Sequence, residues 1–76
     1  MITFKKDTML IVVEEFDETT ETIVESQEFF KAGELVDGEV VGVDILPDGT
    51  KNPRVDIQFG NGGVAFGVHC ESFEIL

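Results

Sequence analysis

The chain has 76 residues, of which 16 are Asp or Glu and five are Lys or Arg, so its formal charge is −11, and its hydrophobic fraction is 42%. A chain of this length is expected to form one small domain (residues 1–76), and its apolar content argues against disorder. So strong a negative charge argues against direct binding to nucleic acid or an anionic membrane and favours basic protein surfaces as partners.

Cysteine usage and hydropathy indicate a cytoplasmic protein. Cys70 is the only cysteine, so an internal disulfide is excluded and a reducing compartment is expected. The first residues lack the charged-then-apolar pattern of a signal peptide, and no apolar run approaches the roughly 18 residues of a membrane-spanning helix.

Residues 8–31 fit either a β-hairpin or a strand followed by a helix. TMLIVVEEF predicts a strand, and ETIVESQEFF can pair with it across a turn at residues 17–20. The alternative is a helix from about Glu18 to Ala32, with Asp17 as its N-cap and Gly33 after its last turn. Thr, Ile, Val and Phe favour strands, so the hairpin is the preferred interpretation.

The stretch AGELVDGEVVGVDIL predicts a bent strand. Its alternating apolar residues change face near Val40–Val41, and the glycines at 38 and 42 leave room for a bulge. One face would hold Val36, Gly38 and Val40, and the other Val41, Val43 and Ile45. LPDGTKNPR then predicts a loop, because Pro-Asp-Gly favours a turn and the second proline would open the next strand.

The stretch VDIQFGNGGVAFGV predicts a tight hairpin. Asn61-Gly62 is the strongest short-range signal for a type I′ turn, since both central residues need positive φ. A turn centred there pairs, on the core face, Phe59 with Val64, Ile57 with Phe66, and Val55 with Val68. The opposite face would hold Arg54, Asp56, Gln58, Ala65, Gly67 and His69. The tail CESFEIL predicts a tight turn and a short closing strand that keeps Phe73, Ile75 and Leu76 for the core.

This order of elements resembles the Src-homology-3-type small β-barrel shared by Tudor and KOW domains. FKAGELVDGEVVGVDI and RVDIQFGNGGVAFGVHCESFEIL carry the resemblance, the latter looking like the family's paired strands, helical turn and last strand. The resemblance implies an all-β fold, a small five-stranded antiparallel barrel. The family's functions do not transfer, because the chain has no Trp or Tyr for a methyl-lysine cage, and its acidic surface does not suit nucleic acid, which family members bind with basic loops.

Residues with chemical potential lack the partners that a catalytic or metal site needs. His69 and Cys70 are adjacent, so in a strand they face opposite sides, and no second His or Cys completes a zinc site. Asp44 and Asp48 do not match the spacing of a calcium loop. The glycines at 60, 62 and 63 lack the helix start and Lys of a phosphate loop. We therefore expect a protein that is not an enzyme and has no metal or cofactor.

The acidic segment EEFDETTETIVESQE is the best candidate for a binding site. Its seven carboxylates have no basic neighbour within the segment, and on a rigid ribbon they can imitate the phosphates that Lys and Arg contact. The first hypothesis is a binding protein that docks on a basic protein surface, including a nucleic-acid-mimicking inhibitor by analogy with phage anti-restriction and anti-CRISPR proteins. The expected contact residues are Glu14, Glu15, Asp17, Glu18, Glu21, Glu25 and Glu28.

The second hypothesis is a structural or assembly module, such as an accessory barrel or a homodimer. An exposed edge strand invites pairing with another sheet. MLIVV is the expected edge, because five consecutive apolar residues leave one face without an obvious cover.

Overall fold

A computed structural model describes residues 1–76 as an all-β protein. The elements are β1 (Ile2–Phe4), β2 (Thr8–Asp17), β3 (Thr22–Phe30), β4 (Gly38–Ile45), β5 (Lys51–Phe59), β6 (Val64–His69), a 3₁₀ turn (Cys70–Ser72) and β7 (Phe73–Ile75). The expected all-β class is confirmed. None of these elements is a helix with the length and hydropathy required to cross a membrane.

The strands form two antiparallel sheets. The larger sheet has five strands in the order β3-β2-β6-β5-β4, and the smaller pairs β1 with β7. A single bridge between Ile2 and Val36 links β1 to the segment before β4. The hairpin interpretation of residues 8–31 is confirmed, and the helix alternative is wrong, because β2 and β3 pair along their whole length.

The outermost strands of the larger sheet are β3 and β4, not β2. MLIVV lies in β2, which pairs with β3 throughout and with β6 at Val13. The prediction that MLIVV forms the edge is therefore wrong, since a hairpin partner covers one side of it. In the larger sheet the outer edges of β3 and β4 have no partner strand, and β2 pairs with β6 at Val13 alone.

The bend in β4 is confirmed. Val40 lies opposite Ile57 and Gly42 opposite Asp56, so Val41 is an additional residue that forms a bulge. A loop follows, as expected, but it is shorter than predicted, because β5 begins at Lys51.

The β5–β6 hairpin differs from the expected one. Its loop is Gly60–Gly63, in which the Gly62 N–H donates to the Phe59 carbonyl (2.9 Å) and the Phe59 N–H donates to the Gly63 carbonyl (2.8 Å). Of the loop residues only Gly62 has a positive φ, 92°, whereas a type I′ turn needs two. The one-residue shift turns Ala65 into the core and leaves Phe66 64% exposed, so the prediction that Phe66 is a core residue and Ala65 an outer one is wrong.

A second irregularity in β6 restores the expected register. One additional residue is accommodated near Gly67, whose φ is 68°, and the Gly67 N–H donates to Asp56 Oδ1 (3.2 Å). The prediction that Val55 lies opposite Val68 is therefore confirmed, while the two pairs nearer the turn are wrong. The observed partners are Gln58 and Val64, Ile57 and Ala65, and Val55 and Val68.

The core is small and lies between the two sheets. Nine apolar residues are buried, namely Ile2, Phe4, Val12, Val55, Ile57, Phe59, Ala65, Val68 and Phe73. Phe30 extends this core, with its ring centroid 5.1 Å from that of Phe4 and 5.2 Å from that of Phe59. Burial of the tail is confirmed for Phe73 but wrong for Ile75 and Leu76, which are 71% and 62% exposed.

Candidate binding surface

The outer half of the β2–β3 hairpin is an exposed acidic arm. Residues 14–25 are all exposed, and beyond Val13 the two strands pair only with each other. Four further residues of β2 extend the arm by about 13 Å at a strand rise of ~3.3 Å per residue. We call residues 14–25 the acidic arm.

The turn at the tip of the arm is locally ordered. The Thr19 N–H donates to Asp17 Oδ1 (2.9 Å), an Asx turn that supports the start of the loop. Glu21 has a φ of 54°, the only positive value at a residue other than glycine. This conformation brings the chain back into β3 and places Glu18 and Glu21 together at the tip.

Strand register assigns most of the other carboxylates to the inner face of the hairpin, which continues into the core. Opposite residues share a face and alternate residues change face. Glu28 lies opposite Leu10, which packs against the core, and Glu15 and Asp17 continue the same row after a bulge at Glu14. Glu25, opposite Val13, is the one member of the expected contact set on the outer face.

Ser26 brings two of the inner carboxylates together. Its hydroxyl lies 3.1 Å from Glu14 Oε1 and 3.3 Å from Glu28 Oε1. A hydroxyl has one proton, so it donates to one carboxylate at a time. The arrangement concentrates negative charge at an exposed position, where a cation of a partner has direct access.

Charge is segregated along the hairpin. Residues 8–30 contain seven carboxylates and no Lys or Arg. Three of the five basic residues, Lys5, Lys6 and Lys31, lie just outside the two strand ends at the root. The potential is thus most negative at the tip and is partly compensated at the root.

The outer face of the same hairpin is apolar, and sequence reasoning predicted only the part of it that MLIVV contributes. Opposite pairs Met9–Phe29 and Phe16–Ile23 lie on it, with Ile11 between them. The face continues across Val13 and Val64 onto Phe66 of β6. We call this surface the outer apolar face, and its residues are Met9, Ile11, Phe16, Ile23, Phe29 and Phe66. The uncovered face of MLIVV was the one signal of it in the sequence.

The remaining candidate residues have structural partners. His69 Nδ1 accepts a hydrogen bond from the Glu71 N–H (3.3 Å) and caps the 3₁₀ turn, beside an exposed Cys70. Asp48 accepts from the N–H (3.0 Å) and hydroxyl (2.6 Å) of Thr50, and these bonds, the hydroxyl first, lower the pKa of Asp48 below its usual value. No three His, Cys, Asp or Glu side chains converge in an arrangement that could hold a metal ion.

Comparison with known proteins finds no relative: no protein-family model matches the chain, and no curated protein or solved structure matches it significantly.

Proposed function

We propose that the protein is a non-enzymatic binding protein that docks its acidic arm on a basic protein surface. The observation that carries this proposal is the combination of full exposure along residues 14–25 with an acidic composition free of basic residues. Like charges held close together on a sheet disfavour folding. A partner that supplies Lys and Arg offsets this repulsion and gains charge-assisted hydrogen bonds.

The partner class that fits best is a nucleic-acid-binding protein. Its binding site presents Lys and Arg in positions that meet a regular series of phosphates. Glu15 and Asp17 lie two residues apart on one strand face, a spacing of about 6.6 Å, and Glu18 follows them in the turn at the tip. We propose that the arm occupies such a site as a nucleic-acid mimic, the mode of action of phage counter-defence inhibitors.

The fold proposed with this function is a small barrel of the Src-homology-3 type. The pairing of β1 with β7, the 3₁₀ turn between β6 and β7, and the bridge from Ile2 to Val36 support it. Such barrels host unrelated functions, so the fold type does not choose the partner.

A charge-reversal experiment with a matched control tests the proposal. The arm variant carries Glu14→Lys, Glu15→Lys and Glu18→Lys. The control variant carries Glu39→Lys, Asp44→Lys and Glu74→Lys, all exposed and outside the arm. Three replacements worth +2 each change the formal charge from −11 to −5 in both variants.

The measurement is a pull-down from a lysate of the source cells, eluted with a salt gradient and competed with DNA or RNA. We expect the wild type and the control variant to retain one basic partner that nucleic acid displaces, and the arm variant to lose it. Equal loss in both variants would show that only net charge matters. Capture of no basic protein by the wild type would refute the proposal.

A second candidate function, an assembly module, is favoured by the unpaired outer edges of β3 and β4. An edge strand can add a strand from another chain through main-chain hydrogen bonds. Binding of this kind would persist in high salt and would be unaffected by the arm variant.

A further inference from the structure

The outer apolar face is large for a protein of this size. Its six side chains are each more than half exposed, and large apolar side chains of 150–250 Å² then present on the order of 600 Å². The largest apolar patch on a typical monomer is about 300–600 Å². Two such faces in contact would bury about 1,200 Å², the lower end of the range for specific interfaces.

The residues along this face are complementary to the same residues of a second copy that runs in the opposite direction. On β3, positions equidistant from Ser26 form suitable pairs: Glu25 with Gln27, Ile23 with Phe29, and, just beyond the strand ends, Glu21 with Lys31. A carboxylate thus meets an amide donor, an aliphatic side chain meets an aromatic one, and an acid meets a base.

The neighbouring strand has the same property. Val12 of β2 lies opposite Ser26. When a second copy runs antiparallel to the first and the two are aligned at this residue, Ile11 of one copy meets Val13 of the other. The Met9–Phe29 pair of one copy then meets the Phe16–Ile23 pair of the other. All the side chains that meet along β2 are apolar, and the polar pair on β3 lies towards the edge of the sheet. A polar rim beside an apolar centre is the usual composition of an interface.

We propose that two copies of the chain associate through their outer apolar faces, with the hairpins antiparallel and a two-fold axis crossing β3 at the level of Ser26. The same patch on both copies makes the contact, as two-fold symmetry requires. The acidic tip of each hairpin then lies over the lysines at the root of the other.

Charge selects this arrangement over other occupants and orientations. Two copies in parallel would place Glu18 and Glu21 of both tips together, which is unfavourable, whereas the antiparallel arrangement pairs each tip with Lys31 of the second copy. An anionic membrane is repelled by the same carboxylates. The inner-face acids Glu14 and Glu15 point away from this interface and stay accessible to a basic partner, whereas Glu21 and Glu25 of the arm lie at the interface.

The first test is sedimentation equilibrium with interference optics, since the chain has no Trp or Tyr. We expect a monomer–dimer equilibrium in the micromolar range. Phe16→Ser with Ile23→Ser is expected to raise the dissociation constant at least about 100-fold. The control is Ile45→Ser with Ile75→Ser, two comparably exposed residues away from the face (70% and 71%), which should leave it unchanged. A wild-type monomer at about 1 mM, or equal weakening by both variants, would overturn the proposal.

The second test changes only exposed charged residues. Glu21→Lys and Lys31→Glu are each expected to weaken the homodimer, because both place like charges at the two ends of the interface. An equimolar mixture of the two variants restores opposite charges at both ends and is expected to form a heterodimer. Absence of dimer in the mixture, or unchanged dimers in each variant alone, would overturn the antiparallel arrangement. Circular dichroism of each variant checks that the fold is retained.

Discussion

Phe29 and Phe30 provide a matched pair for testing how the hairpin is anchored. They are identical, adjacent residues of one strand, yet Phe30 is half-buried against the core while Phe29 is 53% exposed on the outer face. The Phe30 ring stacks on Phe59 at an interplanar angle of 14° and tilts against Phe4 at 33°. Replacement of each by Ala therefore separates core packing from local strand propensity.

Phe30→Ala is expected to lower the free energy of unfolding by about 2–3 kcal/mol. Phe→Ala costs roughly 3–5 kcal/mol in a fully buried position. A half-buried ring loses less than this, and its two aromatic contacts of ~0.5–1.5 kcal/mol each keep the loss near about 2–3 kcal/mol. Phe29→Ala is expected to cost no more than about 0.5 kcal/mol, as at other exposed positions.

Urea denaturation followed by far-ultraviolet circular dichroism measures both values. The protein is kept well below the dissociation constant expected for the dimer, so that self-association through Phe29 does not contribute to the measured stability. A small domain has ~0.05–0.15 kcal/mol of stability per residue, so the Phe30→Ala variant should still fold. Equal losses for the two variants would refute the assignment of inner and outer faces.

Two further predictions concern the loops. Gly63→Ala should lower the free energy of unfolding by about 1–3 kcal/mol, because the added Cβ would lie 2.5 Å from Val12 Cγ1. The double variant with Val12→Ala should lose less than the sum of the two single changes, and strict additivity in urea denaturation would exclude the clash. Thr50→Val should raise the pKa of Asp48 part of the way to its usual value, because the hydroxyl donor is lost while the N–H donor remains. Nuclear magnetic resonance titration of the Asp48 carboxyl group measures this pKa, and an unchanged value would contradict the prediction.

The pH dependence attached to Asp48 has a definite sign. Its folded-state pKa lies below the usual value because Thr50 donates to the carboxylate. The resulting stabilisation is present above the usual pKa and is lost as the pH falls through the lower, folded-state pKa. Thr50→Val raises the folded-state pKa and therefore narrows the pH range over which this stabilisation is lost.

Local patterns predicted those parts of the fold that depend on neighbouring residues. Both hairpins and the bulge of β4 follow from alternation, Gly placement and turn residues. The faces on which Ala65 and Phe66 lie do not follow from these patterns, because one additional loop residue decides them. The additional residue near Gly67 then restores the expected register in the rest of β6. β1 was missed because its partner β7 lies at the opposite end of the chain.

The acidic composition of the arm is visible in the sequence, but alternation alone does not decide which carboxylates lie on which face. That division depends on the bulge at Glu14, which no short sequence pattern reveals. The outer apolar face was predicted only for MLIVV, because alternation within one strand does not show which residues of β3 and β6 continue the same face. With 76 residues the chain lacks the material to cover both faces of a five-stranded sheet.

The pairing of β1 with β7 constrains the order in which the protein folds. Ile2 lies opposite Ile75, and the Leu76 N–H donates to the Met1 carbonyl (3.0 Å). Closing a loop of this length directly costs on the order of 4 kcal/mol of chain entropy. The hairpins β2–β3 and β5–β6 close short loops, and their formation brings the two ends together. We therefore expect Ile2 and Phe4, the residues with the least exposed surface in β1, to enter the core last, at a rate that depends on how well the two hairpins are already formed.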